Sequence, residues 1–153
     1  MIEIRPYDES DREAVIALWD EVLPPTAPHH DPALSIDNKL AVGRELFLVG
    51  SLDGAVVGTV MGGYDGHRGW VYSVAVDPDH RGRGIGRELI RRLEAALGEV
   101  GCLKVNLQVR ATNAEVVAFY EKLGFSVEEL VGMGKRLYPA PGPTPVAVDP
   151  GRA

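Results

Sequence analysis

The chain has 153 residues, a mass of 16.5 kDa and a formal net charge of −6, with 45% hydrophobic and 25% charged residues. A chain of that length buries a core without metal or disulfide staples, and its composition excludes collagen-like, disordered and coiled-coil architectures. The acidic balance argues against nucleic-acid or anionic-membrane binding, which needs a surplus of Lys and Arg to neutralise phosphates, and the lone Cys102 excludes an intrachain disulfide or a thiolate metal cage. No apolar run approaches the roughly 18 residues of a membrane span, and Met1–Arg5 is no secretion signal, so a cytoplasmic location with no membrane partner is expected.

Ile2 and Ile4 alternate with Glu3 and Arg5, as in a short half-buried strand. Ser10 and Glu13 have capping-box spacing, and Val15, Leu18, Trp19 and Val22 follow on one helical face until Pro24-Pro25. An irregular loop carries Pro28, His29, His30, Asp31 and Pro32, and a brief helix is expected over Ser35–Val42. Glu45–Leu52 and Ala55–Met61 are β-rich runs joined by Asp53-Gly54, a strong hairpin signal because both turn residues tolerate positive φ. After the Gly-rich stretch 62–69, Trp70–Val76 predicts a further strand of an antiparallel meander, stopped by Asp77-Pro78.

Arg81-Gly82-Arg83-Gly84-Ile85-Gly86 then opens a long helix, with Ile85, Leu89, Leu93 and Leu97 on its apolar face and Glu88 placed to pair with Arg92. Gly101 suits its left-handed end. Leu103–Val109 alternates as a strand, Thr112 or Asn113 caps a helix that Gly124 ends, and Phe125–Leu130 and Met133–Leu137 read as closing strands. Residues 139–153 hold five Pro and two Gly and predict an extended tail behind a domain at 1–138. This order defines a mixed α+β fold, α/β-like, with helices on both faces of a central sheet.

The segment from Val76 to Arg87 carries the chemistry. A strand ends, a Gly-rich turn follows, and a helix begins at once, so several backbone N–H groups and the positive end of the helix dipole face one point. Glycines allow a ligand close to that backbone, and Arg81, Arg83 and Arg87 add charge of phosphate-binding geometry. In an acidic chain this predicts a site for a small polyanion, most plausibly a pyrophosphate. The dinucleotide pattern G-x-G-x-x-G fails, because Arg87 stands at the third glycine position, and no Gly-Lys-Ser/Thr completes a Walker loop.

What remains, Arg81-x-x-Gly84-x-Gly86 after Ser73-Val74-Ala75-Val76-Asp77-Pro78, resembles the acetyl-CoA-binding motif of the GNAT N-acetyltransferase superfamily. A second stretch, Asn113 followed by Ala118-Phe119-Tyr120 and Gly124-Phe125, is similar to another motif of that family at the right distance. The run from Gly58 to Gly69 resembles most the small bacterial YpeA-type acetyltransferases. The resemblance implies a mostly antiparallel GNAT-type sheet of about six or seven strands. It implies that Val74, Ala75 and Val76 pair with the pantetheine arm as a strand would, and that N–H groups of Arg81, Gly82, Arg83, Gly84, Ile85, Gly86 and Arg87 hold the pyrophosphate. An amine then attacks the acetyl group directly, the amide of Val74 or its neighbour stabilises the oxyanion, Tyr120 protonates the leaving thiolate, and Asn113 contacts the cofactor.

Relatives that carry a Glu on the strand before the loop are not matched, since Trp70-Val71-Tyr72-Ser73 has no carboxylate; Asp65, His67 and Tyr72 are the candidate bases, directly or through water. Plainer readings stand beside these: Tyr120 as a core aromatic, Asn113 as a helix cap, Asp65 and His67 as turn formers, and Arg91 and Arg92 as a solvated helix face. His29-His30-Asp31 has no further ligand at metal spacing and reads as a surface loop near the acceptor groove, so no metal is expected. Cys102 reads as a buried structural thiol, and Trp19 and Trp70 as core residues. The expected activity is acetyl-CoA-dependent transfer to a primary amine, with net charge favouring a cationic acceptor; the alternative is a non-catalytic acyl-CoA-binding or sensing module. A homodimer, common among relatives, is compatible with a tail able to reach a partner.

Overall fold

The computed structural model describes residues 1–139, so the expected tail lies outside the described residues except for Pro139. Strands β1 (Glu3–Pro6), β2 (Phe47–Leu52), β3 (Ala55–Tyr64), β4 (Gly69–Val76) and β5 (Val105–Asn106) form one sheet in chain order. The pairing is antiparallel from β1 to β4 and parallel between β4 and β5. Helices α1 (Arg12–Val22) and α2 (Pro32–Val42) cover one face, and α3 (Ile85–Glu99) and α4 (Ala114–Lys122) the other.

The β2–β3 hairpin forms where Asp53-Gly54 places it, with φ of +49° and +82° at the two turn residues. This is the backbone twist that a two-residue hairpin between right-twisted strands requires. The capping box lies two residues earlier than Ser10–Glu13, on the short 3-10 turn Glu9–Asp11 that leads into α1. Asp8 accepts the Ser10 N–H at 3.0 Å while Asp11 accepts the Asp8 N–H at 2.9 Å. Arg5 of β1 clamps Asp11 in a two-pronged contact at 2.7 and 2.9 Å, which fixes this reciprocal carboxylate cap against the sheet. Helix α2 also starts earlier than expected, because Asp31 accepts the Leu34 N–H at 3.0 Å and Pro32 is preset for the first helical position.

Two apolar layers flank the sheet. On one, Trp19 and Phe47 stack at 5.8 Å beside Tyr7, Val15 and Ile36. On the other, the expected α3 face of Ile85, Leu89, Leu93 and Leu97 is buried, with Ile90 added. Gly58 and Gly62 of β3 make this approach possible: a Cβ on Gly58 would stand 2.9 Å from Leu89 Cδ1, and one on Gly62 would collide with Leu93. Glu88 and Arg92 form no ion pair.

The sheet has five strands rather than six or seven. Of Leu103–Val109 only Val105 and Asn106 are paired, and neither Phe125–Leu130 nor Met133–Leu137 forms a strand. Alternation specifies a strand only where a neighbouring edge and a buried face receive it, and Val127, Leu130, Val131, Met133 and Leu137 are all exposed. Trp19 is core as expected, whereas Trp70 is half-buried. Cys102 is also half-buried rather than sealed, its thiol donating to the Lys104 carbonyl at 3.3 Å.

Candidate active site

Strands β4 and β5 touch only at Gly69↔Val105 and Trp70↔Asn106. Beyond Trp70 no described strand pairs with that edge of β4, so the backbone from Val71 to Val76 borders an open wedge. In the same stretch β4 is bulged: Thr59 faces Ala75 and Met61 faces Tyr72, and Ser73 adopts φ of +51°. An extra residue in one strand re-aims the local N–H and C=O groups.

A buried hydrogen-bond chain holds the bulge. Trp19 Nε1 donates to Thr59 Oγ1 at 2.8 Å, and the Thr59 hydroxyl donates to the Ser73 carbonyl at 2.9 Å. Thr59 is fully buried, so its hydroxyl has to be satisfied this way. Neither Thr59 nor Ser73 emerges from sequence reasoning. Thr59 had a signal, as a polar residue inside the apolar run from Val57 to Met61; the positive φ of Ser73 had none.

The wedge leads to the glycine loop. Asp77 caps the short turn after β4 by accepting the Asp79 N–H at 2.9 Å. Gly82 and Gly84 both have φ of +77°, and Gly84 is the left-handed residue at the start of α3. No side chain caps α3, and the N–H groups from Gly82 to Arg87 have no backbone partner among the described residues. Arg81, Arg83 and Arg87 are exposed and pair with no described carboxylate. Fifteen residues of α3 thus present their dipole and unpaired donors at a basic loop facing solvent.

Helix α4 stands beside this loop, with the Phe119 ring 3.4 Å from where a Gly86 Cβ would lie. Val74, Val76, Ile85, Phe119 and Tyr120 share one apolar cluster. Asn113 caps α4, its side chain accepting the Val116 N–H at 3.3 Å. Tyr120 is 8% exposed, set edge-on to Phe119 at 5.0 Å and to Phe125 at 5.6 Å, and its hydroxyl has no hydrogen-bond partner among the described residues.

Burial pushes the Tyr120 phenol up to about 12 and does the same to Tyr7, where the charge of Glu9 adds to it. Both stay protonated through the neutral range. The unfolded chain releases these protons near 10, so this stabilisation is whole below that pH and drains away as pH rises toward 12. Urea unfolding between pH 9.5 and 11.5 is therefore expected to show a slope steeper for wild type than for Tyr120→Phe, by up to roughly 1.4 kcal/mol per pH unit. Equal slopes would remove the assigned burial effect.

Asp65 is spent on the β3–β4 turn, accepting the N–H groups of His67 and Arg68 at 2.7 Å each, and those bonds lower its pKa. That turn ends five residues before Ser73, roughly 16 Å of strand, while the Asp65 carboxylate remains near enough to Tyr72 for its charge to add to the rise in that phenol's pKa. Tyr72 adjoins the bulge, half exposed and stacked near Trp70 at 6.4 Å, and burial raises its pKa. Among the described residues no group of three or more His, Cys, Asp or Glu is placed to hold a metal ion. No helix among the described residues is long and apolar enough to cross a membrane.

A mixed sheet splayed beside a bulged strand that runs into an uncapped, glycine-rich helix start defines an acyltransferase architecture, and comparisons agree. Residues 12–125 match the model of the Acetyltransferase (GNAT) family. An acetyltransferase of Yersinia enterocolitica is 48% identical over 138 residues, 89% of this chain and 96% of that protein. Ard1 from Thermoplasma volcanium superposes with a TM-score of 0.72 at 29% identity over 83% of this chain and 84% of its own. The fold is shared too with the PaiA N-acetyltransferase of Thermoplasma acidophilum, solved in complex with coenzyme A: TM-score 0.74, 21% identity, 86% of this chain and 94% of that one. The chain belongs to the GNAT acetyltransferase family and is an acyltransferase.

Proposed function

We propose that the protein transfers the acetyl group of acetyl-CoA to a primary amine by direct attack within a ternary complex. The observation that carries this reading is the coincidence, among the described residues, of an unpaired β4 edge from Val71 to Val76 with an uncapped α3 start carrying Gly82, Gly84 and three arginines without carboxylate partners. The pantetheine arm has amide groups that suit the open edge at Val74, Ala75 and Val76, and the cofactor's pyrophosphate suits the N–H groups from Gly82 to Arg87 with the Arg81 side chain beside them, the Arg81 N–H being donated to the Pro78 carbonyl. Asn113 is fixed as the α4 cap, and the family motif it matches assigns it a contact with the cofactor.

In this reading the amine nitrogen forms a bond to the thioester carbon, and the oxygen that gains charge is met by the amide of Val74 or its neighbour. The Thr59–Ser73 hydrogen bond holds that amide's orientation by pinning the bulge. The tetrahedral species then breaks its C–S bond, and the departing thiolate takes the proton of the Tyr120 hydroxyl, which burial keeps available. The amine gives up its own proton to solvent, and solvent returns a proton to the Tyr120 phenolate. Tyr72, a phenol with a raised pKa, is a poor base and instead walls the acceptor space together with Trp70.

Calorimetric titration with acetyl-CoA is expected to give micromolar binding. Initial velocities of thiol release with a primary amine are expected to give intersecting double-reciprocal lines. Parallel lines would indicate an acyl-enzyme and end the direct-attack reading. Binding with no thiol release to any amine would favour the sensing module instead.

A further inference from the structure

The loop between α1 and α2 meets two distant parts of the chain at one place. Arg110, in the segment that leaves β5 for α4, donates from Nη2 to Thr26 Oγ1 at 3.4 Å. Thr26 Oγ1 contacts His30 Nδ1 at 3.2 Å. The rings of His29 and His30 lie 4.1 Å apart, and His29 Nδ1 meets the Tyr138 hydroxyl at 2.5 Å. Lys135, Arg136, Tyr138 and His29 line a cleft of about 440 Å³. Because β5 runs parallel to β4, the chain after β5 and the loop after β4 leave the sheet on the same side. The cluster around Arg110 therefore flanks the mouth of the wedge.

This place is strongly basic in a chain of net charge −6. Arg110, Lys135 and Arg136 have no carboxylate partner among the described residues. The nearby Asp31 is occupied as the cap of α2. Burial, then the charges of His29, Arg110 and Arg136, lower the pKa of His30, and no acid offsets them. These cations are exposed and solvent screens their mutual repulsion, but with no carboxylate opposing them they leave a positive field that attracts an anion.

We infer that His29, His30, Arg110, Arg136 and Tyr138 form a subsite for an anionic group, carboxylate or phosphate, borne by the acceptor amine. The proposal rests on the N-acetyltransferase reading and narrows its acceptor: local charge at the mouth, rather than net charge, selects an amino-acid-like or phosphorylated amine over a polycation. Guanidinium groups suit both anions because each can donate two parallel hydrogen bonds. The cleft has room for a small amine of this kind.

The test follows the His29 and His30 ring resonances by NMR in protein saturated with CoA, which occupies the pyrophosphate loop. Serine and phosphoethanolamine are titrated against ethanolamine, which lacks the anionic group of either, at constant ionic strength. Binding at least tenfold tighter than ethanolamine is expected for one or both, with an upward shift of the His30 pKa, and the preference is expected to vanish in Arg110→Gln/Arg136→Gln. A preference for serine would identify carboxylate, and one for phosphoethanolamine phosphate. Equal affinity of all three amines, or a preference that survives in the folded double variant, would overturn the proposal. Both arginines are exposed, so an unchanged melting temperature is the check that this variant folds. CoA binding is measured separately, so failure of the parent reading registers as failure to saturate with CoA, whereas failure of the subsite registers only in the amine titrations.

Discussion

Placing Asp at both Gly84 and Gly86 is expected to raise the dissociation constant for acetyl-CoA at least a hundredfold while the protein stays folded. Gly84 is left-handed at φ +77°, and a side chain there costs about 1 kcal/mol, less for Asp than for a branched residue. Gly86 has ordinary clearance at its Cβ position, 3.4 Å to Phe119 and 3.6 Å to Val76, so an added side chain is squeezed but not excluded. The larger effect is electrostatic. Two carboxylates would neutralise the donors of the first α3 turn and repel a pyrophosphate from the place where Arg81, Arg83 and Arg87 attract it. A hundredfold loss corresponds to about 2.7 kcal/mol, within reach of two misplaced charges at short range. Calorimetry on wild type and variant, with circular dichroism to confirm the fold, decides it. Binding within threefold of wild type would place the pyrophosphate elsewhere.

Tyr120→Phe is expected to lower kcat by roughly a hundredfold or more, the range of a lost general acid, with the affinity for acetyl-CoA unchanged. The prediction separates chemistry from packing. Phenylalanine keeps the edge-on contacts with Phe119 and Phe125, and the hydroxyl it removes has no hydrogen-bond partner among the described residues. Little stability should therefore be lost. An unchanged kcat would leave Tyr120 as a core aromatic and assign protonation of the thiolate to solvent. A parallel fall in cofactor affinity would mean that the ring positions the loop through Phe119 and Gly86 rather than supplying a proton.

The residues of both predictions were legible in the sequence because their signals are local. Gly82 and Gly84 between a strand and an amphipathic helix are a local signal, since glycine suits the left-handed positions observed at both and a helix start offers unpaired N–H groups. The Asp53-Gly54 hairpin, the α3 face and the Asn113 cap are equally short-range, and each forms as the pattern requires. The capping box lies two residues before the expected Ser10–Glu13 because the deciding contact, Arg5 with Asp11, joins a strand to a helix start. The closing strands failed for a related reason: alternation at 125–137 describes what a segment can do, while pairing depends on a partner edge.

The sequence alone specified the glycine loop and the helix that carries Tyr120, because each depends on residues within one or two turns of one another, and the class of protein followed from the resemblance of these motifs to a known family. Tertiary structure decided the rest. The Ser73 bulge depends on Trp19 and Thr59, 40 residues apart. The splaying of β4 from β5 depends on a pairing that stops after two residues. The basic mouth unites His29 with Tyr138 across 109 residues. No window of sequence contains these partners together, and the charge and strain they create exist only once folding has brought them into contact.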